Sequence, residues 1–135
     1  MSRENVEMIR AAMDAWNRGD WDGALKDAAP DFVLDNSMNS GDWRGIHRGA
    51  DEVKRAWSML TEPWESVHIE VSEFIEGDGG AVVTRQKARF VGRDGIELPG
   101  PTRSGWVWSI GDGKLVHLAT YNDLDEALEV AGVRD

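Results

Sequence analysis

Cysteine and histidine side chains often bind metal ions, and cysteine can act as a nucleophile. In this sequence the absence of cysteine and the positions of the histidines argue against a metal site and against a cysteine nucleophile. The 135 residues include no cysteine, so the chain can form no disulfide, no thiolate metal site and no cysteine nucleophile. His47 and His68 have no companions at the spacing of metal ligands. The glycine turns at Asp78 and Asp112 have too few spaced acids for a calcium loop. We therefore predict a protein that holds no metal ion.

Tryptophan is the unusual component of the composition. The sequence contains seven tryptophans and one tyrosine. Because each large aromatic side chain can bury roughly 150–250 Å², seven of them exceed what the core of so small a domain usually needs. We expect some of the tryptophans to line a cavity or a subunit interface.

Charge and hydropathy argue against binding to nucleic acids or membranes. The formal net charge of −10 repels phosphate backbones and anionic lipids. No apolar run approaches the ~20 residues needed to span a bilayer. The first residues, Met-Ser-Arg-Glu-Asn-Val-Glu, are too polar for a signal peptide. We expect a cytoplasmic protein.

Apolar residues at spacings of three and four predict helices, mostly in the first half of the chain. In the first helix this spacing places Val6, Ile9, Met13 and Trp16 on one face. The glycine or proline at the end of each helical pattern marks where it stops. The predicted helices are 6–19, 20–30, 50–63 and 124–132.

An apolar run and, later in the chain, alternating apolar and polar residues predict five strands, most of them in the second half. The predicted strands are 32–34, 68–75, 81–91, 105–110 and 115–121. Glycine-rich turns at 77–80 and 111–113 join neighbouring strands as hairpins. Residues 37–48 have a loop composition. Helices followed by an antiparallel meander predict one α+β domain over 1–135, with helices covering one face of the sheet.

Three parts of the sequence resemble the SnoaL-like branch of the nuclear transport factor 2-like superfamily. They are Ala15-Trp16-Asn17-Arg18-Gly19-Asp20-Trp21-Asp22 with Ala29-Pro30-Asp31-Phe32-Val33, Arg48-Gly49-Ala50-Asp51-Glu52-Val53, and 112–128. The resemblance implies a cone-shaped roll, in which a strongly curved, mainly antiparallel sheet wraps around three helices and opens to a pocket. A short C-terminal helix follows. The resemblance also implies a homodimer formed through the outer face of the sheet.

The superfamily includes ketosteroid isomerases, and their catalytic residues are not matched here. The position of the aspartate base falls on Asn36, which cannot accept a proton at neutral pH. The tyrosine position falls on Ala12 and the second acid falls near Trp106. Asp35 adjoins the base position, but strand alternation turns its side chain to the other face. We therefore expect no classical ketosteroid isomerisation.

The superfamily also includes limonene epoxide hydrolases, which use an Asp-Arg-Asp trio with a tyrosine and an asparagine. Asn36 and Arg85 match that pattern. The two acids fall on Lys87 and near Thr120, and the tyrosine falls on Leu34. Without either carboxylate, no group is placed to carry out the proton transfers.

The family's polyketide cyclases use an aspartate near the end of the last long strand, assisted by a histidine. Asp123 is the nearest match, with His117 six residues before it. Asp123 also fits the N-cap of the C-terminal helix, with Glu126 as its capping-box partner. By strand parity His117 points away from the pocket.

Strand parity and the family pattern together predict which side chains line the pocket. The strands contribute Asn36, Arg85, Trp106, Trp108, Thr120 and Asn122, and the helices contribute Met13, Trp16 and Trp57. An inward-facing Arg85 needs an anionic or carbonyl partner because an unpaired buried charge is costly. A ligand could provide that partner, or an acid such as Asp35 or Glu70 could form a structural salt bridge.

Two functions remain open from the sequence. The first is a cofactor-free isomerase, cyclase or lyase that acts on a cyclic or polyketide-like carbonyl compound. In that enzyme Arg85, Asn36 and Trp106 polarise the carbonyl, and Asp123 or Asp35 serves as acid or base. The second is a ligand-binding domain without catalysis, which explains the aromatic pocket and the missing carboxylates equally well. A module that only dimerises leaves the inward polar residues without a purpose.

Overall fold

Four α-helices, one 3-10 turn (Asp78–Gly80) and seven strands are the regular elements of the described residues, 3–38, 44–99 and 104–133 of a computed structural model. The helices are α1 (Arg3–Asn17), α2 (Trp21–Ala24), α3 (Gly49–Thr61) and α4 (Leu124–Val130). The strands are β1 (Ala28–Asp35), β2 (Ile46–Arg48), β3 (Ser66–Glu76), β4 (Val82–Val91), β5 (Glu97–Pro99), β6 (Ser104–Gly111) and β7 (Lys114–Tyr121). Among the described residues, no helix is both long enough and apolar enough to cross a membrane.

All seven strands belong to one curved sheet, and the α+β class predicted from the sequence is confirmed. The strand order is β2-β1-β7-β6-β4-β3, with β5 on the remaining part of β4. Only β1 and β7 pair in parallel, and the other pairs are antiparallel. Register shifts interrupt the ladder in β3 near Val71 and in β6 near Ser109. Such bulges bend a sheet, which allows it to wrap around helices.

The inner face of the sheet packs against α1 and α3. Ile9, Met13 and Trp16 of α1 are buried at the helical spacing that the sequence shows. Val53 and Trp57 of α3 join the same core. Acidic residues in the first turn of α3 stabilise its start because they face the positive end of the helix dipole.

Asn17, the last residue of α1, fastens this helix to the edge strand β3. Its Nδ2 donates to the carbonyl oxygen of Ile69 at 2.9 Å, and the Ile69 amide donates to Asn17 Oδ1 at 2.9 Å. The side-chain amide thus pairs with the strand as a neighbouring backbone would. Because an unpaired edge exposes hydrogen-bonding groups, this contact covers the edge at the point where α1 ends.

The C-terminal helix corrects the prediction that helices cover only one sheet face. Leu124, Ala127 and Ala131 of α4 pack on the outer face, in a second core that also includes Val83 and Val107. The physical reason is that the central strands carry apolar side chains on both faces. Those on the outer face, such as Val83 and Val107, also have to be covered.

The second helix is shorter than predicted. It begins at the Asp20 cap, whose carboxylate accepts from the Gly23 amide at 2.9 Å, and it ends after Ala24. Gly23 is a weak helix former, which explains the early end. Pro30 therefore lies within β1 and does not terminate a helix. The three-residue strands β2 and β5 are not predicted from the sequence, because each is too short to show a repeating pattern.

Candidate functional site

An aromatic cavity opens between the helices and the inner face of the sheet. It is lined by Ala12, Met13, Trp16, Ala24, Leu25, Phe32, Leu34, Asn36, Trp57, Leu60, Trp106, Trp108, Leu115, Leu118 and Thr120. Trp16 and Trp57 meet edge to face, with 6.3 Å between ring centroids, and Trp106 and Trp108 are tilted at the same separation. These four rings form two parts of the wall, one from the helices and one from β6.

The aromatic cavity is narrow in the structure. The volume of the cavity is about 40 Å³. That space holds a few waters at most. A molecule with one or two rings can therefore enter only when side chains of the wall move apart.

No ionisable side chain is among the described residues that line the aromatic cavity. Its two polar side chains are Asn36 and Thr120, and the remaining lining atoms belong to apolar or aromatic residues. General acid–base catalysis requires a group that gains or loses a proton near neutral pH. The described lining supplies hydrogen bonds and apolar contact but no such group.

Asn36 and Thr120 form the polar end of the cavity. The Thr120 hydroxyl donates to Asn36 Oδ1 at 2.6 Å. Asn36 is fully buried, with 0% exposure, and among the described residues its Nδ2 has no hydrogen-bond partner. Within the described part of the chain, the amide therefore leaves a buried donor without an acceptor.

The end of β1 sets the direction of the Asn36 side chain. The Asn36 backbone amide donates to the Gly45 carbonyl at 2.8 Å. The neighbouring Asp35 carboxylate accepts from the Ser37 amide at 2.9 Å and from its hydroxyl at 2.6 Å. Asp35 points to the outer face of the sheet, as His117 does. Asn36 thus faces inward and Asp35 outward, as strand alternation predicts.

Two polar residues of β4, Thr84 and Gln86, hold the tryptophans of β6 from behind the cavity wall. The Trp108 indole N–H donates to Thr84 Oγ1 at 2.9 Å. The Gln86 amide orientation that satisfies both of its ends places Oε1 2.7 Å from Trp106 Nε1 and Nε2 2.8 Å from Thr84 Oγ1. Both indole N–H groups are therefore hydrogen-bonded to side chains of β4. The Trp106 N–H is paired with the Gln86 side chain and is not free to polarise the carbonyl of a ligand, contrary to the role predicted for it.

Thr84 and Gln86 are not among the residues selected from the sequence. Both are buried, with 0% and 2% exposure. Their alternation along β4 with Arg85 and Lys87 indicates their orientation, because it places the two neutral residues on one face and the two charged residues on the other. The neutral face is the one more easily buried. The signal is weak, since no apolar residue lies between Val83 and Ala88.

The prediction that Arg85 faces the cavity is wrong. Its side chain is 46% exposed on the opposite face of β4, and Nη1 lies 3.6 Å from Glu73 Oε1. The phase of β4 is the physical reason, because Thr84 and Gln86 occupy the inner face. The salt bridge expected as an alternative exists, but its acid is Glu73 and not Asp35 or Glu70.

The prediction that Asn122 lies in the cavity is also wrong. Asn122 is exposed because β7 ends at Tyr121, and strand alternation does not continue past that point. Asp123 is exposed too and caps α4, with its Oδ1 accepting from the Asp125 amide at 2.9 Å. Neither of the predicted acids, Asp123 and Asp35, is among the residues that line the cavity.

The remaining predicted binding residues come together around the cavity. They are Met13, Trp16, Asn36, Trp57, Trp106, Trp108 and Thr120. Their part in ligand binding stays a prediction. Within the described ranges, no three histidine, aspartate or glutamate side chains approach one another as metal ligands do.

A sequence model of the SnoaL-like domain matches residues 9–118. No curated protein matches the sequence. Many solved structures have a similar fold.

Three of these structures illustrate the similarity. One is an NTF2-like protein of unknown function from Burkholderia pseudomallei, with 24% identity over 97% of this chain and 98% of that chain and a TM-score of 0.77. Another is TerC co-crystallised with polyporic acid, with 21% identity over 95% and 97% and a TM-score of 0.77. The third is a Mycobacterium tuberculosis protein in complex with estradiol-17beta-hemisuccinate, with 13% identity over 92% and 97% and a TM-score of 0.72.

Proposed function

The chain belongs to the SnoaL-like domain family, and we propose that it binds a small, neutral, ring-containing organic molecule in the aromatic cavity without transforming it. The observation that carries this proposal is the composition of the lining, which combines four tryptophans with two neutral polar groups and, among the described residues, no ionisable side chain. Ligand sites generally have mostly apolar walls and few polar groups.

The energetics of the lining favour a neutral ligand. A ring system that buries about 200 Å² of apolar surface gains roughly 5 kcal/mol before the costs of association are subtracted. A charged ligand would lose its hydration without meeting an opposite charge in the described wall, which is strongly unfavourable. A neutral aromatic or alicyclic molecule avoids that cost.

The catalytic alternative, a cofactor-free isomerase, cyclase or lyase, has less support. It needs an acid or base in the cavity, and the two acids proposed from the sequence lie elsewhere. Asp123 caps α4, and Asp35 is held by Ser37 on the outer face. Arg85, the proposed electrophile, pairs with Glu73. Among the residues that the structure describes, only the neutral Asn36 and Thr120 remain as polar groups in the cavity.

Two of the similar structures contain a small organic molecule, which supports ligand binding by analogy. The low identity limits the analogy to the fold, so the ligand class has to come from the residues of this chain. The sequence also predicts a cytoplasmic homodimer, and we keep both features as part of the proposal. A monomer mass in sedimentation at micromolar concentration would contradict the dimer.

Filling the cavity tests the proposal. Ala12 lines the cavity from α1, whereas its neighbour Ala11 is exposed on the same helix. We expect Ala12→Leu to weaken binding of the bicyclic hydrocarbon indane by at least about tenfold, which corresponds to about 1.4 kcal/mol, because the added side chain occupies the space that the ligand needs. Tryptophan fluorescence during titration with indane gives the affinity.

Ala11→Leu is the matched control, because it makes the same chemical change outside the cavity. We expect its affinity for indane to equal that of the unsubstituted protein. Circular dichroism establishes that both variants are folded. Equal affinity of the two variants for indane would show that the probe binds elsewhere and would remove the basis of the proposal.

A further inference from the structure

The short helix α2 forms one side of the aromatic cavity and is only weakly attached to the rest of the fold. Ala24 and Leu25 line the cavity from this segment. Among the described residues, the backbone of 20–25 forms hydrogen bonds only with residues up to five positions away. By contrast, α1 is bonded to β3 through Asn17, and the strands pair with one another. A segment without such distant bonds can move at a small cost in free energy.

The local sequence gives α2 little stability of its own. The helix has four residues, which is about one turn, and so short a helix is not stable without contacts from outside it. Gly23 lies inside the helix and weakens it further. Gly19, just before it, has a φ of +77°, a conformation that glycine adopts without strain and that lets the chain direction change there. The position of α2 therefore depends on its side-chain contacts.

Two side-chain contacts hold the outer side of α2 against α3. Lys54 Nζ donates to Asp22 Oδ1 at 2.9 Å. The rings of Trp21 and Trp57 meet edge to face, with 6.0 Å between their centroids. Trp57 lines the cavity, whereas Asp22 and Lys54 are not among the described residues that do. The ion pair thus fixes the position of a cavity wall without being placed to touch a ligand.

We propose that α2 is a gate of the aromatic cavity and that the Asp22–Lys54 ion pair is an autoinhibitory contact that holds this gate closed. The inference rests on the proposed function, because it requires that the cavity binds a ring. A cavity of about 40 Å³ is too small for such a molecule, so part of the wall has to move when it binds. Movement of α2 away from α3 withdraws Ala24 and Leu25 from the cavity and breaks the ion pair.

The closed gate lowers the apparent affinity for the ligand. When only a fraction of the molecules is open, the apparent dissociation constant is the intrinsic one divided by that fraction. An ion pair that exists only in the closed state makes the open fraction smaller. Its removal should therefore strengthen binding, although neither partner lies in the cavity lining.

Lys54→Met and Asp22→Asn test this consequence, since each removes one charge of the pair and keeps much of the side chain. We expect each variant to bind indane about two- to fivefold more tightly than the unsubstituted protein, the range that one exposed ion pair provides. The association rate should rise by the same factor. The dissociation rate should stay unchanged because the pair is already broken in the bound state. Tryptophan fluorescence in titration and stopped-flow experiments gives the affinity and both rates.

The double variant separates the ion pair from a general effect of charge. The two substitutions change the net charge in opposite directions, yet both are expected to tighten binding. The double variant should bind indane as tightly as either single variant, because the second substitution has no pair left to break. Arg55→Met is the matched control, since it removes a positive charge from the exposed next position of α3. We expect it to bind indane as the unsubstituted protein does.

Backbone amide hydrogen exchange tests the gate without a ligand. The Leu25 amide donates to the Trp21 carbonyl at 3.1 Å, so its exchange reports on the opening of α2. We expect this exchange to be about two- to fivefold faster in both single variants than in the unsubstituted protein and in Arg55→Met. Exchange in the central strand β6 should not change.

The outcomes separate the gate from the proposed function. Unchanged or weaker binding of indane by both single variants would overturn the gate and leave ring binding intact. Unchanged exchange of the Leu25 amide in these variants would overturn the gate as well. Failure of indane to bind the unsubstituted protein and both variants would overturn the proposed function itself.

Discussion

Gln86 and Thr84 hold the two tryptophans of β6 from behind the cavity wall. The Gln86 amide accepts from the Trp106 indole at 2.7 Å in the orientation that pairs both of its ends. Thr84 accepts from the Trp108 indole at 2.9 Å. With their N–H groups engaged inside the sheet, the rings contribute apolar surface to the cavity. Gln86 is therefore a positioning residue that affects the ligand through Trp106.

We predict that Gln86→Leu destabilises the protein by about 1–3 kcal/mol because it leaves the N–H of the half-buried Trp106 without its hydrogen-bond partner. Hydrogen exchange of the indole N–H groups, followed by NMR, reports on this contact. Exchange of the Trp106 N–H is expected to accelerate relative to that of Trp108. Lys87→Leu, at the exposed next position of β4, is the control and should change stability by no more than about 0.5 kcal/mol. Unchanged Trp106 exchange in Gln86→Leu would contradict the positioning role.

The orientation of single residues could be predicted where apolar neighbours fix the strand phase. In β1, the buried Phe32 and Leu34 determine that Asn36 faces inward and Asp35 outward. In β4, the run from Thr84 to Lys87 contains no apolar residue, so both phases fit the sequence and the family pattern led to the wrong one. The burial of apolar side chains determines which face of a strand points inward. A segment with polar residues on both faces does not distinguish the two orientations.

At the level of elements, the close approach of α4 to β6 depends on Gly105. A Cβ atom at this position would lie 2.8 Å from Leu124 Cδ1 and 2.9 Å from Ala127 Cβ. Both distances are shorter than non-bonded carbon atoms adopt. Any larger residue at position 105 therefore pushes α4 away from the outer face of the sheet.

We predict that Gly105→Val destabilises the protein by about 1–3 kcal/mol, the usual cost of overpacking. Backbone hydrogen exchange should show that α4 loses protection before the central strands do. Gly111→Ala on the same strand is the control, since its added Cβ would meet Val116 at an ordinary 3.6 Å. Calorimetry gives the stability of both variants. A Gly105→Val protein as stable as the control would mean that α4 does not depend on this contact.

The long helices and strands could be predicted from the sequence. The short elements and the sheet face that α4 covers could not. The spacing of Ile9, Met13 and Trp16 specified α1 because a long amphipathic helix repeats its signal several times. The helix α2 has four residues and gives no repeat. Strands β2 and β5 have three residues each and depend on pairing with distant partners. The side of the sheet that α4 covers depends on which face is left unburied, and this is a property of the whole sheet.

At the scale of the whole molecule, the net charge is −10, and the single tyrosine has negatively charged side chains near it. Tyr121 lies half-buried on the outer face, near Asp35 of β1 and Glu126 of α4. Burial raises the pKa of the Tyr121 hydroxyl, and the negative charges of Asp35 and Glu126 raise it further. Each effect disfavours the phenolate form.

This shift of the Tyr121 pKa links stability to alkaline pH. Because the folded protein retains the phenol proton more strongly than the unfolded chain, its contribution is fully present below the unfolded pKa near 10 and is lost as pH rises through the higher folded pKa. The hydrogen bond to Asp22 raises the pKa of Lys54, which acts in the same direction. We predict a decline in the free energy of unfolding above about pH 10, and Tyr121→Phe should make this decline less steep without removing it.

Phenolate absorbance measures the Tyr121 pKa directly, because the chain has one tyrosine and tryptophan does not titrate in this range. The folded protein is expected to form phenolate at higher pH than the urea-unfolded chain does. Asp35→Asn separates the charge contribution from burial, since it removes one negative charge at nearly constant size and should lower the pKa of Tyr121. Equal Tyr121 pKa values in the folded and unfolded chains would contradict the burial and the nearby negative charges that the structure shows. The decline in stability at alkaline pH would then have to come from other groups.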